Sequence, residues 1–568
     1  MPGRDFLGEA RRSLARALEA AAREVAREFG HSLPELPPFV VAPPKDPVHG
    51  DLATNLALLL ATPLGVPPWA VAESLARRLP WPDFPPVEGV EVAGPGFLNF
   101  RLRPGWLGPL VAEILGAPED YGRSEAGRGR KVQIEFVSAN PTGPLNVVNA
   151  RAAAYGDSLA RVMEWAGYRV SREYYVNDAG RQFELLGLSM ECRARELLGE
   201  EVAFPEEGYP GDYLISLARK FLEERPEARE ILRSGREEER LELRREMARY
   251  AAEALAAEQR KTLSAYGVEY DSWVRESEIR ASGGPEEVLS LLAPHLYEKD
   301  GAVWFRSSAF GDDQDRVLVR QDGEYTYFLA DIAYHLHKYR RGFELLLVIW
   351  GQDHHGYVPR MKAALRALGF SPSTFEVLLA QMVRLVRGGE AVRMSKRKGE
   401  YVTMAEFLTE VGRDAARFFF LTRSLDSHLD FDLDLARSRA EENPVYYVQY
   451  AHARIASIER QAEERGVRMP PLEEVRWDLL REEPEEALLR LLAAFPGEVA
   501  RAAEGRQPHL LTGYARDLAS SFHDFYTRCR VLGSPPEVEA ARFGLCRAVR
   551  VVLARTLHLL GVSAPERM

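Results

Sequence analysis

The chain has 568 residues, 46% hydrophobic and 28% charged with a mean hydropathy of -0.27, which excludes a disordered or fibrous protein and leaves length for roughly four domains. Its net charge of -11 (74 basic, 85 acidic) argues against a surface coated in nucleic acid, and three cysteines, none in a CxxC pair, exclude a disulfide framework or a cysteine zinc site. No apolar run approaches the ~18 to 20 residues a membrane span needs, and the opening MPGRDFLGEARRSLARALEAAAREVAREF is a charged amphipathic helix rather than a signal peptide; a cytoplasmic protein with no membrane partner is expected.

After that helix come the proline-rich LPELPPFVVAPP, HGDLATNLALLLA, where Asp51 or Thr54 is placed to cap a helix, and VEVAGPGFLNFRL; residues 1–105 read as a small α+β domain. A glycine-rich linker, YGRSEAGRGRK, leads to KVQIEFVSA, a β-rich run without strict alternation, as a strand buried on both faces requires. This predicted strand ends at Ala139. A turn at ANPTGPL and a helix through RAAAYGDSLARVMEWAG join it to a strand at YRVSREYYV, which makes a parallel crossover. From about 190 to 265, charged helices with opposite charges three or four apart read as a helical insertion with a solvated face. Strand signals return at DGAVWFRS, RVLVR and YTYFLA, and FELLLVIWGQDHHG is another buried strand running into a loop. After about residue 440 the chain is helical with proline breaks. The fold class expected is α/β multidomain: an N-terminal α+β domain (1–105), a Rossmann-like doubly wound domain (120–375) carrying the helical insertion, a loop-bearing region (376–440) and an all-α helix-bundle domain (441–568).

Candidate chemistry falls in a few segments. In SANPTGPLNVVNARAAAYGD the strand feeds a turn with Pro141, Gly143 and Pro144 and then a helix, at the carboxyl edge where doubly wound sheets bind ligands. Backbone amides there favour anions, and Asn146 and Asn149 add neutral donors suited to a phosphate; a ligand-free turn with asparagine caps explains the pattern equally well. In YTYFLADIAYH, Tyr327 and Asp331 lie four apart on one face of a helical turn, and a carboxylate beside a phenol suits a guanidinium; an apolar helix start carrying one acid is the structural alternative. IWGQDHHGY brings Gln352, Asp353, His354 and His355 to the same edge. Without HExxH or cysteine spacing, and with adjacent side chains of an extended segment pointing apart, polar contacts to a ribose or amino group are expected and a metal is not.

VRLVRGGEAVRMSKRKGEYVTMAEFL packs Arg393, Lys396, Arg397 and Lys398 into six residues, and two of only nine lysines fall here. Such a basic loop can close over a polyphosphate and stabilise a leaving pyrophosphate, against the alternative of a solvated turn. Residues 501–568 hold ten arginines against six acids, which suits either a polyanion or an ordinary helix surface.

Together these segments resemble the class I aminoacyl-tRNA synthetases, and among them the arginyl-tRNA synthetases. GDLATN and VAGPGFLNF are similar to that family's N-terminal domain, EFVSANPTGPL to its first catalytic strand and turn, YYVNDAG and WGQDHHGY to two further active-site segments, and ENPVYYVQYAHARI and LLGVSAPERM to its anticodon-binding domain. The resemblance implies ATP-dependent activation of L-arginine to arginyl-AMP and transfer to tRNA(Arg), releasing AMP and pyrophosphate. It makes 120–375 the catalytic domain, 376–440 the signature-loop and stem-contact region, 1–105 the tRNA-elbow binder and 441–568 the anticodon binder. It also implies ATP with Mg2+; the cysteine and histidine spacing gives no reason to expect a structural metal, and a monomer is expected.

By position, Glu135 and Asn140 contact the amino acid, Tyr327 and Asp331 the guanidinium, and Gln352 the arginine as well. Gly143, Asn146, Asn149, Asp353, His354, Met394, Ser395 and Lys396 line the ATP site, and Lys396, Asn146 and Asn149 carry the catalysis, with Lys396 first for the transition state. Met394, Ser395 and Lys396, preceded by Arg393, resemble the class pattern KMSK. Where the class reads His, small apolar, Gly, His, this chain has Asn146, Val147, Val148 and Asn149. An asparagine amide still donates to a phosphate, whereas a β-branched Val148 crowds an adenine that glycine admits. That departure motivates a second reading, a non-catalytic tRNA- or arginine-binding paralogue with a degenerate ATP signature.

Overall fold

The computed structural model describes residues 6–33, 35–44, 46, 49–79, 87–392 and 402–568. Its central sheet has five parallel strands in the order Phe375–Ala380, Leu345–Gly351, Lys131–Glu135, Arg169–Val176, Ser272–Arg275. The apolar run at 345–349 explains why no alternation is visible in the sequence. Leu345, Leu347 and Ile349 enter the large core that includes helix Val147–Trp165, while Leu346 and Val348 enter a second core with helix Tyr327–Arg340. Strand order reverses between Lys131–Glu135 and Leu345–Gly351, the switch point at whose carboxyl ends open α/β sheets bind ligands.

Several expectations are corrected. The strand expected to reach Ala139 stops at Glu135, because Val137 and Ser138 take positive φ of 70° and 40°. YTYFLA is a helix start: the Thr326 side chain accepts the Leu329 N–H at 3.4 Å, and Phe328, Leu329, Ile332 and Leu336 bury one helical stripe. Strands Ala302–Phe305 and Arg316–Val319 join Leu296–Lys299 in a separate antiparallel sheet. The insertion begins earlier than its charge pattern suggests, with helices Gly180–Leu197, Asp212–Glu224, Ala228–Ser234 and Glu237–Ala265 around a core of their own.

The N-terminal domain packs helices Phe6–Glu28, Leu56–Leu64 and Pro68–Arg78 on a four-stranded antiparallel sheet. Asp51 does not cap a helix. It accepts the Leu102 N–H at 2.7 Å and pairs with Arg490 of the C-terminal bundle, while Thr54 Oγ1 accepts the Leu56 N–H at 3.4 Å. The bundle is built on Pro444–Glu464, Glu483–Glu504, Leu510–Arg528 and Pro536–Leu559. Two buried arginines bind the parts together: Arg417 pairs with Asp157 at 2.5 Å and donates to Leu560 O at 3.0 Å, and Arg151 donates to Gln381 O, Ser424 O and Ser427 O. Among the described residues no single helix is long and apolar enough to cross a membrane, and the bent pair Leu56–Leu64 and Pro68–Arg78, which passes by composition, lies in the N-terminal core.

Candidate active site

The turn after Glu135 is strained. Ser138 N–H donates to Phe136 O at 3.0 Å across Val137, a γ-turn that puts a β-branched residue in the left-handed region. Strain of about 1–3 kcal/mol per residue persists only where the surroundings impose it. Here Tyr270 donates to Phe136 O at 3.0 Å, Ser138 Oγ accepts the Tyr175 N–H at 3.1 Å and Tyr174 Oη accepts the Ala139 N–H at 3.1 Å. The turn delivers Asn140 and Gly143 to the head of helix Val147–Trp165, and the Asn140 amide donates to Gln182.

Asn146 and Asn149 form a reciprocal cap on that helix. Asn146 Oδ1 accepts the Val148 and Asn149 N–H groups at 2.9 and 3.2 Å, and Asn149 Oδ1 accepts the Asn146 N–H at 2.9 Å. Their oxygens are thus committed to the helix start; the Nδ2 groups have no hydrogen-bond partner among the described residues and can donate to a ligand. Met394, Ser395 and Lys396, with Arg393, Arg397 and Lys398, lie outside the described residues. The chain that follows them returns to the same place: Thr403 bridges Asn146, and the Met404 N–H donates to Leu145 O at 2.7 Å.

The surroundings of Asp331 are more acidic than the sequence suggests. Asp331 is 7% exposed, and its Oδ2 accepts the Tyr357 hydroxyl at 2.6 Å, leaving Oδ1 without a partner among the described residues. Burial pushes the Asp331 carboxyl well above the usual range; the Tyr357 hydrogen bond opposes this and the charges of Glu276 and Glu135 add to it. Tyr327, the first residue of the helix, is 49% exposed at the mouth, its ring centroid 6.4 Å from that of Tyr357. The Asp331 charge, then burial, raises the Tyr327 phenol.

Buried Glu276 accepts from Tyr175 at 3.2 Å and Arg280 at 2.7 Å, and the Asn177 amide, turned to donate, reaches it at 3.1 Å. Glu135, 4% exposed, is ion-paired with the fully buried Lys338, whose ammonium lies 4.1 Å from the Tyr334 ring centroid. With three acidic side chains answered by Lys338 and Arg280, an entering planar cation would find a charge complement and a free carboxyl oxygen, Asp331 Oδ1.

Gln352, Asp353, His354 and His355 are exposed at the end of strand Leu345–Gly351, but on a short 3-10 helix, Gln352–Tyr357, and not on an extended segment. His354 Nδ1 lies 3.3 Å from Asp353 Oδ1. That same turn supplies Tyr357, which sequence reasoning missed together with Asn177, Glu276 and Lys338. A signal for Lys338 existed: it is one of nine lysines and lies seven residues after Asp331, on the same helical face.

Residues 9–102, 111–419 and 448–568 match family models described, in turn, as the arginyl tRNA synthetase N-terminal domain, the class I (R) tRNA synthetase catalytic domain and the DALR anticodon binding domain. The chain is 53% identical over 560 residues to the arginine–tRNA ligase of Desulforudis audaxviator (strain MP104C), covering 98% of each chain. It is 51% identical over 572 residues to that of Moorella thermoacetica (strain ATCC 39073 / JCM 9320), covering 99% of this chain and 100% of the relative. The solved arginyl-tRNA synthetase of Thermus thermophilus matches with a TM-score of 0.69 at 28% identity, over 97% of this chain and 100% of that one. Likeness at about half identity from end to end favours the ligase over a non-catalytic paralogue. The chain belongs to the arginine–tRNA ligases, within the class I aminoacyl-tRNA synthetases.

Proposed function

We propose that arginine is recognised and activated in the crevice at the sheet's carboxyl edge, with Asp331 as the guanidinium acceptor. The observation that carries this reading is the buried Asp331, aimed by Tyr357 and left with one oxygen for a ligand. The guanidinium lies between Asp331 and Tyr327, Gln352 covers the mouth, and Glu135 and Asn140 meet the other end of the amino acid. ATP lies across the turn and helix head, against Gly143, the Asn146 and Asn149 amides, Asp353, His354, Met394, Ser395 and Lys396.

A carboxylate oxygen of arginine attacks the α-phosphorus, forming a C–O–P link as the bond to pyrophosphate breaks. Lys396 stabilises charge on that leaving group. The terminal ribose hydroxyl of tRNA(Arg) then attacks the arginyl carbonyl carbon and AMP leaves. Positioning and charge carry the catalysis, without a covalent enzyme intermediate. Mg2+ would enter with the ATP phosphates, as part of the substrate.

In this proposal residues 1–105 meet the tRNA elbow, 376–440 its stem and 441–568 its anticodon loop. Support comes from the bundle surface: the Tyr446 and Tyr450 rings lie parallel within 10° and Arg454 sits 5.4 Å over Tyr450, a face on which bases can stack. The chain acts as a cytoplasmic monomer. ATP–pyrophosphate exchange with arginine and cognate tRNA tests the reading: arginine-dependent exchange is expected, and none above background with tRNA binding intact overturns it.

A further inference from the structure

Three helices of the insertion converge on the turn that carries Asn140 and Gly143. Gln182, from Gly180–Leu197, accepts the Asn140 side-chain amide; Tyr213, from Asp212–Glu224, donates to Thr142 O at 2.5 Å; and Gln259, from Glu237–Ala265, donates through both N–H bonds of Nε2, to Asn140 O at 3.1 Å and Gly143 O at 2.9 Å. Gln259 is 1% exposed on a helix whose composition is that of a solvated surface. Its oxygen is used as well. The Tyr174 hydroxyl lies 2.9 Å from Gln259 Oε1 and 3.1 Å from Ala139 O, so its one proton is shared between them, while the same oxygen accepts the Ala139 N–H.

Gln259 therefore commits both of its donors to one short loop, immediately after the two residues with positive φ, and its oxygen to the Tyr174 hydroxyl that holds the same loop. A loop so bent holds one conformation only if its carbonyls are held from outside. Asn140 O and Gly143 O flank the place where, on the reading above, arginine and ATP meet.

We propose that Gln259 is a positioning residue for adenylate formation: together with Tyr174 it locks the 139–143 turn in register with the helix head capped by Asn146 and Asn149, and so makes the helical insertion part of the catalytic apparatus. Buried behind the turn, it would act through Asn140 and Gly143 rather than on either substrate. The proposal rests on the assignment of Asn140 and Gly143 to the substrate site, and the effect sought lies in the transition state rather than in ground-state binding. Misplacement of a reacting group by a fraction of an ångström to 1 Å costs about tenfold to a hundredfold in rate.

Gln259→Glu keeps the shape and the acceptor for Tyr174 but leaves at most one donor for two carbonyls; Gln259→Leu withdraws donors and acceptor together. Single-turnover adenylate formation, normalised to titrated active sites in the full chain with tRNA present, should fall about tenfold to a hundredfold in both, with arginine and ATP KM changed less than about threefold. A merely structural role lowers the fraction of active sites and leaves the rate per site unchanged. Rates per site within about threefold of the parent in both variants overturn the proposal. If neither variant folds, Tyr174→Phe decides: a loss per site of about threefold or more supports it and a smaller one overturns it. Asn140→Ala, measured in parallel, separates the two claims. An unaffected Asn140→Ala sinks the site assignment, whereas a crippled Asn140→Ala beside unaffected Gln259 and Tyr174 variants sinks only the positioning role.

Discussion

Asp331→Asn separates the charge of the pocket from its shape. Asparagine keeps an oxygen able to accept the Tyr357 hydroxyl, now 2.6 Å from Asp331, but offers the guanidinium no carboxylate. Because Asp331 is 7% exposed, its bond to the ligand forms away from water, and removing one partner of such a buried pair costs about 3–5 kcal/mol. At about 1.4 kcal/mol per tenfold, arginine KM in ATP–pyrophosphate exchange rises by at least roughly two orders of magnitude, while the tRNA Kd from filter binding stays within about twofold.

The pH dependence has a definite sign. Burial holds the free Asp331 carboxyl well above its usual range, so arginine must displace a proton at low pH, and arginine KM falls as pH rises through that raised pKa. Asp331→Asn abolishes this limb. In the ligand-free protein the folded state holds the proton more tightly than the unfolded chain, so stability falls as pH climbs from the ordinary carboxylate range to the raised value. Asparagine removes that loss, and Tm at neutral pH rises. Equal losses of arginine and tRNA binding with a lower Tm would refute the reasoning and make Asp331 structural.

Tyr357→Phe removes a hydrogen bond to a charged acceptor, worth about 1.5–3 kcal/mol, and should raise arginine KM roughly tenfold to a hundredfold; an unchanged KM takes Tyr357 out of guanidinium recognition. Lys396→Ala slows adenylate formation about 10²- to 10³-fold by rapid quench with little change in arginine Kd, and if the rate survives, the role passes to Arg397 or Lys398. Asn146→Ala takes away the acceptor of two helix N–H groups and a donor to the nucleotide, so Tm falls by the loss of about 1 kcal/mol and ATP KM rises with it. A fall in Tm alone makes Asn146 a cap and nothing more. Arg417→Met leaves buried Asp157 with Arg161 at 2.8 Å and Arg172 at 3.5 Å, so the unfolding free energy should fall by an amount near the low end of about 3–5 kcal/mol and the urea midpoint with it; an unchanged midpoint shows that the pair does not hold the domains.

The sheet was legible because runs such as LLLVIW feed two cores at once, leaving a continuous apolar signature. Tyr327 and Asp331 were legible because helical spacing alone puts them on one face. The kink at Val137 was not: a β-branched residue argues for continued strand, and only Tyr174, Tyr270 and Ser138, brought in by the fold, impose a left-handed φ there. The aromatics of YTYFLA misled in the same way until Thr326 and the buried stripe decided for a helix. Glu276 sits in RESEIR, which reads as solvated; burial beside Tyr175 and Arg280 depends on contacts distant in sequence. Gln259 was hidden by the charge-rich helix around it, whose buried face meets the 139–143 turn.

The most direct test of the account is which amino acid becomes attached to tRNA(Arg) when the protein is offered arginine, citrulline and lysine together with ATP, read by mass spectrometry of the hydrolysed aminoacyl-tRNA. A site built on a buried carboxylate rejects ligands lacking a charged guanidinium fork by about 10⁴-fold or more, so arginine alone is expected on the tRNA. Citrulline or lysine attached at a rate within about tenfold of arginine would contradict the claim that Asp331 and its neighbours read the guanidinium group.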